Sequence, residues 1–231
     1  MTKPDQISTI ILPLLQVRRY MYDLLRNAFL KEPTKSFLLN VKEDINTSEL
    51  PFVNEHVSIE RGVNLIKHYL SHNDIQSERV QSDLHWEFTR LFIGPYELPA
   101  PPWESVFCNE DRLLFQEVTL EVRKAYLKYS LLPVEFGQEA DDHLGLELDF
   151  MFRLTDLAIA EVTQEEPKDL YEILMDQKLF LEKHLLKWVP SLSEAIINNA
   201  KTEFYQGMAN LLVGFLELDL RALQELLDIE S

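Results

Sequence analysis

Apolar side chains recur at intervals of three and four residues along most of the chain, which is the spacing of an amphipathic helix. No segment of useful length alternates apolar and polar residues as a half-buried strand does. The pattern therefore predicts an all-α fold: a single domain over residues 1–231, with about ten helices and a Pro-rich irregular loop. The predicted helices cover residues 7–30, 34–41, 58–72, 77–92, 110–129, a segment that starts at 142, a segment from 167 to 188, 191–199 and 202–228.

Proline and capping residues set the predicted helix ends. Pro13 lies near the start of the first helix, where proline is tolerated, and Ser58 is a plausible N-cap. The run Trp188–Pro190 is predicted to end a helix, because proline cannot donate to the helical ladder. Residues 40–57 and 133–141 are predicted to be irregular connections.

The segment from Glu87 to Phe107 begins as helix and then changes character. Gly94 and Pro95 are expected to stop the helix, with glycine in a left-handed conformation just after its last turn. Three further prolines keep the next residues extended. The loop is nevertheless rich in apolar side chains, so we expect it to pack on helices or to form the wall of a groove; these side chains are Tyr96, Leu98, Trp103, Val106 and Phe107.

The composition is strongly acidic, with 39 Asp and Glu against 22 Lys and Arg and a net charge of −17. Such a surface repels nucleic acid and anionic lipid and suits a cationic partner, although acidity also serves solubility alone. Cys108 is the only cysteine, so no disulfide can form within the chain. No run reaches the roughly 20 apolar residues of a membrane span. The first apolar run precedes Arg18 and Arg19, the reverse of an export signal.

The usual sequence signatures of catalysis are missing. The chain has no phosphate-binding P-loop, no His-Glu-x-x-His and no Glu-x-x-His motif. His68 and His72 lie one helical turn apart, but no third metal ligand accompanies them, so no metal site is predicted. Cys108 has no partner base in the sequence and is better explained as a small packed residue.

Asp142 and His143 open a helix that is apolar almost all round and therefore predicted to be central. In the structural interpretation, Asp141 or Asp142 caps this helix and His143 is a first-turn surface residue. In the functional interpretation, His143 and Glu147 share one helix face, and the Asp-His pair orients a bound peptide or pins the Pro-rich loop.

Several motifs in order resemble one known family. Glu87-Phe-Thr-Arg-Leu-Phe-x-Gly-Pro and the Pro-Pro-Trp that follows are succeeded by Glu139-x-x-Asp142-His143, and then by His184-Leu-x-x-Trp188-x-Pro190. Over nearly the whole chain this sequence is similar to the TorD/DmsD family of redox-enzyme maturation chaperones.

The resemblance implies an all-helical cytoplasmic protein without enzymatic activity or cofactor. It implies binding of the twin-arginine signal peptide and apoprotein of a molybdopterin oxidoreductase, help with cofactor insertion, and delayed Tat export. It also makes a monomer or a helix-exchanged dimer conceivable. The positions that match the family's peptide site are Phe88, Leu91, Phe92, Tyr96, Pro102, Trp103, Asp142 and His143.

Two other functions fit parts of the pattern. An acidic helical adaptor could dock on a folded partner protein, with the Pro-rich loop serving only as a brace. A hydrolase could use Asp142, His143 and Glu147. Binding of an isolated signal peptide would distinguish a signal-peptide chaperone from the adaptor. Metal analysis with an activity screen would test the hydrolase.

Overall fold

The computed structural model describes residues 3–47, 50–95, 97–108, 114–131, 139–164 and 168–230. These residues form ten α-helices and two π-helical turns. The helices are α1 (Lys3–Leu30), α2 (Lys35–Asn46), α3 (Val57–His72), α4 (Glu78–Phe88), α5 (Glu104–Cys108), α6 (Glu117–Lys128), α7 (Leu144–Val162), α8 (Leu170–Phe180), α9 (Leu186–Asn199) and α10 (Glu203–Glu230). The π-turns Thr89–Ile93 and Leu181–Leu185 extend α4 and α8. The predicted all-α fold is confirmed.

Helix α7 is central, as its apolar composition predicts. Eleven of its residues are buried, including Glu147 and Thr155. Its first turn lies against the end of α1, where a Cβ on Gly145 would sit 2.7 Å from the Cα of Leu30. A glycine at this position therefore sets how closely the two helices approach.

Helices α3 and α10 also meet through glycine. A Cβ on Gly62 would lie 2.6 Å from the Gly207 carbonyl oxygen, and a Cβ on Gly207 would lie 2.7 Å from that of Gly62. Real Cβ atoms do not tolerate such distances, so any larger residue would push the helices apart. The contact fixes the long C-terminal helix against α3, whose residues Ile59, Val63, Ile66 and Leu70 are buried at helical spacing.

A buried polar network ties α1 to α8 and α10. Arg18 is fully buried and donates to both carboxylate oxygens of Asp219, at 2.6 and 3.0 Å. It also donates to Gln177 Oε1 at 2.7 Å, and the Tyr22 hydroxyl donates to Asp219 at 2.6 Å. Opposite charges and fixed geometry offset the cost of removing these groups from water.

The predicted positions of the two helical prolines were wrong. Pro13 lies ten residues inside α1, because that helix starts at Lys3. Pro190 lies inside α9, which runs on to Asn199. The π-turn Leu181–Leu185 runs directly into α9, so Pro190 lies in the second turn of that helix and does not end it.

Other helix ends also differ from the prediction. Helix α2 continues to Asn46 because Val41 and Ile45 keep its buried spacing. The N-cap of α3 is His56, whose Nδ1 accepts from the backbone N–H of Ser58 at 3.2 Å. Gly94 stops the first π-turn with a φ of −35°, which is not left-handed.

Helix α6 begins at Glu117 rather than at 110. Phe115 has a φ of 58°, a left-handed conformation that interrupts a helix. Residues 133–138 of the predicted irregular connection, and Pro167, the predicted first residue of a helix, lie outside the described part of the chain. Within the described segments, none of the helices combines the length and apolarity that a membrane crossing requires.

Candidate functional site

The Pro-rich segment is fastened to the start of α7 by backbone hydrogen bonds. The N–H of Leu144 donates to the Pro102 carbonyl at 2.8 Å, and the N–H of Glu104 donates to the Asp142 carbonyl at 3.0 Å. Trp103 and His143 are thereby paired as an isolated antiparallel β-bridge. The loop is packed on the helices, which is one of the two arrangements that its apolar sequence predicts.

Trp103 covers this junction. Its indole N–H donates to Glu139 Oε1 at 2.7 Å, and its ring meets the His143 ring edge-on, with centroids 5.9 Å apart. The side chain is half-buried, whereas Pro102 beneath it is buried. Trp103 therefore offers a partly exposed aromatic surface beside the α7 N-terminus.

Asp142 and His143 do not play the structural roles predicted for them. His143 is itself the N-cap of α7, since its Nδ1 accepts from the Gly145 backbone N–H at 3.0 Å, and it is only 8% exposed. Asp142 is fully buried, and its Oδ2 accepts from the Ser105 backbone N–H at 2.8 Å. It thus holds the first turn of α5, 37 residues earlier in the chain. Together the pair pins the Pro-rich segment, as the functional interpretation allows.

Burial also affects the chemistry of His143. Loss of hydration lowers the pKa of its imidazole below the ordinary 6.5, although the nearby Glu139 and Asp142 carboxylates oppose this shift. A neutral imidazole is also what the cap requires, because Nδ1 must keep its lone pair to accept from Gly145. The local structure and the lowered pKa are therefore consistent.

The predicted aromatic wall lies in the core. Phe88, Leu91 and Phe92 are at most 4% exposed, and the Phe92 ring packs edge-on against Phe88 and Tyr205, at centroid distances of 5.2 and 5.6 Å. In this conformation they support the surface above them and present almost no area of their own. Their role as peptide contacts stays a prediction.

One weak hydrogen bond connects the two groups of predicted site residues. The Ala100 N–H points at the Leu91 carbonyl at 3.4 Å, so the loop runs from the aromatic cluster to the α7 junction. Pro102, Trp103, Asp142 and His143 lie together at that junction. Tyr96 lies outside the described residues.

Two exposed apolar side chains near the aromatic cluster were missed at the sequence level. Trp86 is 64% exposed and Ile93 is 59% exposed. Trp86 falls out of phase with the buried positions Val80, Leu84 and Phe88 of α4, and that mismatch is the signal that could have identified it. It borders a cleft of about 680 Å³ that is also lined by Tyr69, Asn73, Asp83, Glu87, Arg90, Lys201, Thr202 and Glu203.

The other candidate sites have structural explanations. The rings of His68 and His72 lie 4.1 Å apart, and His68 pairs with Glu203. No cluster of three or more His, Cys, Asp or Glu in the described segments could hold a metal ion. For the hydrolase alternative, Asp142, His143 and Glu147 are all buried at a junction that the loop covers.

Comparison with known proteins identifies relatives of this chain. Residues 57–194 match the family model described as "Nitrate reductase delta subunit". The chain is 31% identical over 147 residues to "Chaperone protein TorD" of Aliivibrio fischeri, covering 63% of this chain and 66% of that protein. The matched segment thus spans just under two thirds of that relative's length.

Two further relatives extend the comparison. The chain is 28% identical to "Probable Tat proofreading chaperone DmsD" of Haemophilus influenzae, covering 60% of this chain and 61% of that protein. It is 27% identical to "Chaperone protein TorD" of Vibrio atlanticus, covering 87% of this chain and 92% of that protein. These relatives are named as chaperones and not as enzymes. The chain belongs to the TorD/DmsD family of redox-enzyme maturation chaperones.

Proposed function

We propose that this protein is a cytoplasmic chaperone that binds the twin-arginine signal peptide and the apoprotein of a molybdopterin oxidoreductase subunit. In this role it assists insertion of the cofactor into its client and delays Tat export until the client is complete. The peptide site is assigned to the Pro-rich segment, the α7 junction and the aromatic cluster below them, namely Phe88, Leu91, Phe92, Tyr96, Pro102, Trp103, Asp142 and His143.

The observation that carries the proposal is the extent of the family match. Residues 57–194 include every one of the eight assigned positions. The name of the Haemophilus influenzae relative, a probable Tat proofreading chaperone, supports the assignment of a Tat client.

The charge and the exposed apolar side chains fit the two parts of such a peptide. A twin-arginine signal has a basic segment followed by an apolar one. The net charge of −17 favours the basic part. Trp86, Ile93 and Trp103 offer apolar surface to the second part, while the buried Phe88 and Phe92 rings keep that surface in place.

Apolar contact is expected to set affinity, and charge to set the rate of encounter. Burying roughly 400 Å² of peptide at about 25 cal/mol per Å² gives on the order of 10 kcal/mol before losses. Ordering the peptide removes much of that. Exposed ion pairs add about 0–1 kcal/mol each, so they serve mainly to steer the peptide.

Calorimetric titration with a synthetic twin-arginine peptide tests the proposal directly. The full chain is titrated with a peptide that carries two arginines and an apolar segment, and with a second peptide in which the apolar segment is replaced by serines. Trp103→Ala and Trp86→Ala are compared with Tyr171→Ala, which removes an aromatic ring of 49% exposure from α8. We expect the Trp103 variant to bind weakly and the Tyr171 variant to bind like the parent.

The result also separates the chaperone from the adaptor. An adaptor would bind the folded oxidoreductase and ignore the isolated peptide. Equal affinity for the two peptides would show that apolar contacts with the signal peptide do not set the affinity. If Trp86→Ala alone weakens binding, the site lies in the α4 cleft and not at the α7 junction.

A further inference from the structure

Four acidic side chains are buried where α5 meets the start of α7. Glu104, Asp141, Asp142 and Glu147 are each at most 1% exposed. A buried carboxylate is costly unless a cation or hydrogen-bond donors compensate it. Asp141 has such a cation, because the Arg123 guanidinium donates to it at 2.5 Å. The hydrogen-bond donors to the other three are a backbone N–H, a thiol, an indole N–H and the His184 imidazole.

Both oxygens of Glu104 have a partner, whereas Glu147 has a partner on one oxygen only. Glu104 Oε2 accepts from His184 Nδ1 at 2.9 Å, and Glu147 Oε2 accepts from the Trp188 indole N–H at 3.3 Å. On the other side of Glu104, the Cys108 thiol lies 3.9 Å from Oε1. Among the described residues, Glu147 Oε1 and Asp142 Oδ1 have no hydrogen-bond donor.

The donors to the two glutamates, His184 and Trp188, lie one helical turn apart, which brings the glutamate side chains close enough to hydrogen-bond to each other. Two carboxylates offer only acceptors, so such a contact forms only when one of them carries a proton. Burial, followed by the charges of Glu104 and Asp142, raises the pKa of Glu147 well above its ordinary 4.5. A proton on Glu147 would supply the donor that the pair otherwise lacks.

The groups around Glu104 and Glu147 stabilise a second negative charge on the pair only weakly. The charged and titratable groups around the pair are Cys108 on α5, Asp141 and Asp142 at the junction, Arg123 and Tyr126 on α6, His184 in the second π-turn and Lys187 on α9. Burial and the nearby carboxylates raise the pKa of Tyr126 well above 10, so it stays neutral. Arg123 pairs with Asp141, Lys187 acts on Cys108, and His184 contacts Glu104, so none of these groups pairs with Glu147.

We propose that Glu104 and Glu147 share one proton and act as a pH-sensitive latch that holds α5 and the Pro-rich segment against α7. Loss of that proton to solvent leaves two adjacent buried negative charges, whose repulsion separates α5 from α7. Only an O–H bond is broken, and no other reactant is needed.

Opening the latch would affect the contacts that occupy the assigned peptide site. The Ser105 N–H would leave Asp142, and the Pro102 carbonyl would leave the Leu144 N–H. The backbone edge beside His143, which the loop covers through the Trp103 bridge, would then be free for an extended peptide. This consequence rests on the proposed function, whereas the latch itself does not.

Hydrogen exchange without any peptide tests the latch. Exchange of residues 97–108 is followed from about pH 6 to about pH 9 and divided by the intrinsic rate at each pH. Glu147→Gln keeps the size of the side chain and supplies a permanent donor. Glu225→Gln, at an exposed position of α10, is the matched control for loss of one charge. We expect protection to fall about tenfold with rising pH in the parent and the control, and to stay constant in Glu147→Gln.

Each result has a defined meaning. The same pH dependence in the parent and in Glu147→Gln would overturn the latch. Should Glu147→Gln instead fail to fold, Glu104→Gln supplies the donor from the other side, and it too must remove the pH dependence. A titration with the twin-arginine peptide follows: affinity should rise with pH in the parent only. A peptide that does not bind at any pH would count against the proposed function and leave the exchange result intact.

Discussion

The carboxylate of Asp142 accepts a hydrogen bond from the backbone N–H of Ser105 at 2.8 Å, joining the residue before the α7 cap to the first turn of α5. Both residues are fully buried. The contact explains how an acidic side chain can lie in the core and why the Pro-rich segment returns to α7.

Two substitutions at Asp142 distinguish the contribution of its hydrogen bond to stability from the contribution of its charge. Asp142→Ala leaves the Ser105 N–H buried without an acceptor and should lower the free energy of unfolding by about 1–3 kcal/mol. Asp142→Asn keeps an acceptor and removes a charge near Glu147, so its stability should lie within about 1 kcal/mol of the parent. Urea denaturation of both variants measures the difference, and equal losses would show that the charge itself is required.

Because His143 caps α7, we expect His143→Ala to destabilise the protein more than His143→Asn does. His143→Ala removes the acceptor for Gly145 and the ring beneath Trp103, and should cost about 1–2 kcal/mol. His143→Asn restores a capping oxygen and should recover about half of that or more. Thermal melts of the two variants provide the measurement. If the Asn variant is no more stable than the Ala variant, the histidine contributes through packing and not as a cap.

His143 also predicts a pH dependence. Because its pKa is lowered in the folded state, the unfolded chain binds more protons as the pH falls below the ordinary 6.5. The stabilisation that His143 contributes to the folded state is therefore fully present above pH 6.5. It is lost as the pH falls towards the lowered pKa of the folded state. The stability advantage of the parent over His143→Asn should shrink between about pH 7.5 and about pH 5. A constant difference across that range would mean that His143 titrates normally.

The buried pair of Arg18 and Asp219 predicts strong coupling. Asp219→Leu alone leaves a buried guanidinium without its carboxylate and should cost about 3–5 kcal/mol. Adding Arg18→Met removes the stranded charge, so the double variant should be more stable than Asp219→Leu. Chemical denaturation of a full double-mutant cycle checks this. Strict additivity of the two single losses would contradict a specific pairing.

The net charge predicts salt-dependent encounter with the peptide. Association should slow as ionic strength rises, because salt screens the attraction between an acidic protein and a basic peptide. Dissociation should change much less, since it depends on short-range apolar contacts. Stopped-flow kinetics at low and high salt give both rates, and unchanged association would exclude electrostatic steering.

The sequence by itself determined the helical class and most of the buried faces. Helical spacing depends on residues three and four apart, so the inward positions of α3 and the central burial of α7 could be read locally. The predicted helix start at residue 77 also agrees with the structure, where the Ser77 hydroxyl caps α4 by accepting from the Val80 N–H. The family resemblance followed from motifs in the same local order.

Only the tertiary structure decided the partners of the buried polar groups. Pro190 lies inside α9, directly after a π-turn, although its local sequence predicts a helix end. Ser105 and Asp142 are 37 residues apart, and Glu104 and His184 are 80 apart. Capping preferences read locally assigned Asp142 to its own helix. Its carboxylate instead accepts a hydrogen bond from the backbone of α5. The packing of distant helices determines which backbone donor lies within reach of a buried acceptor.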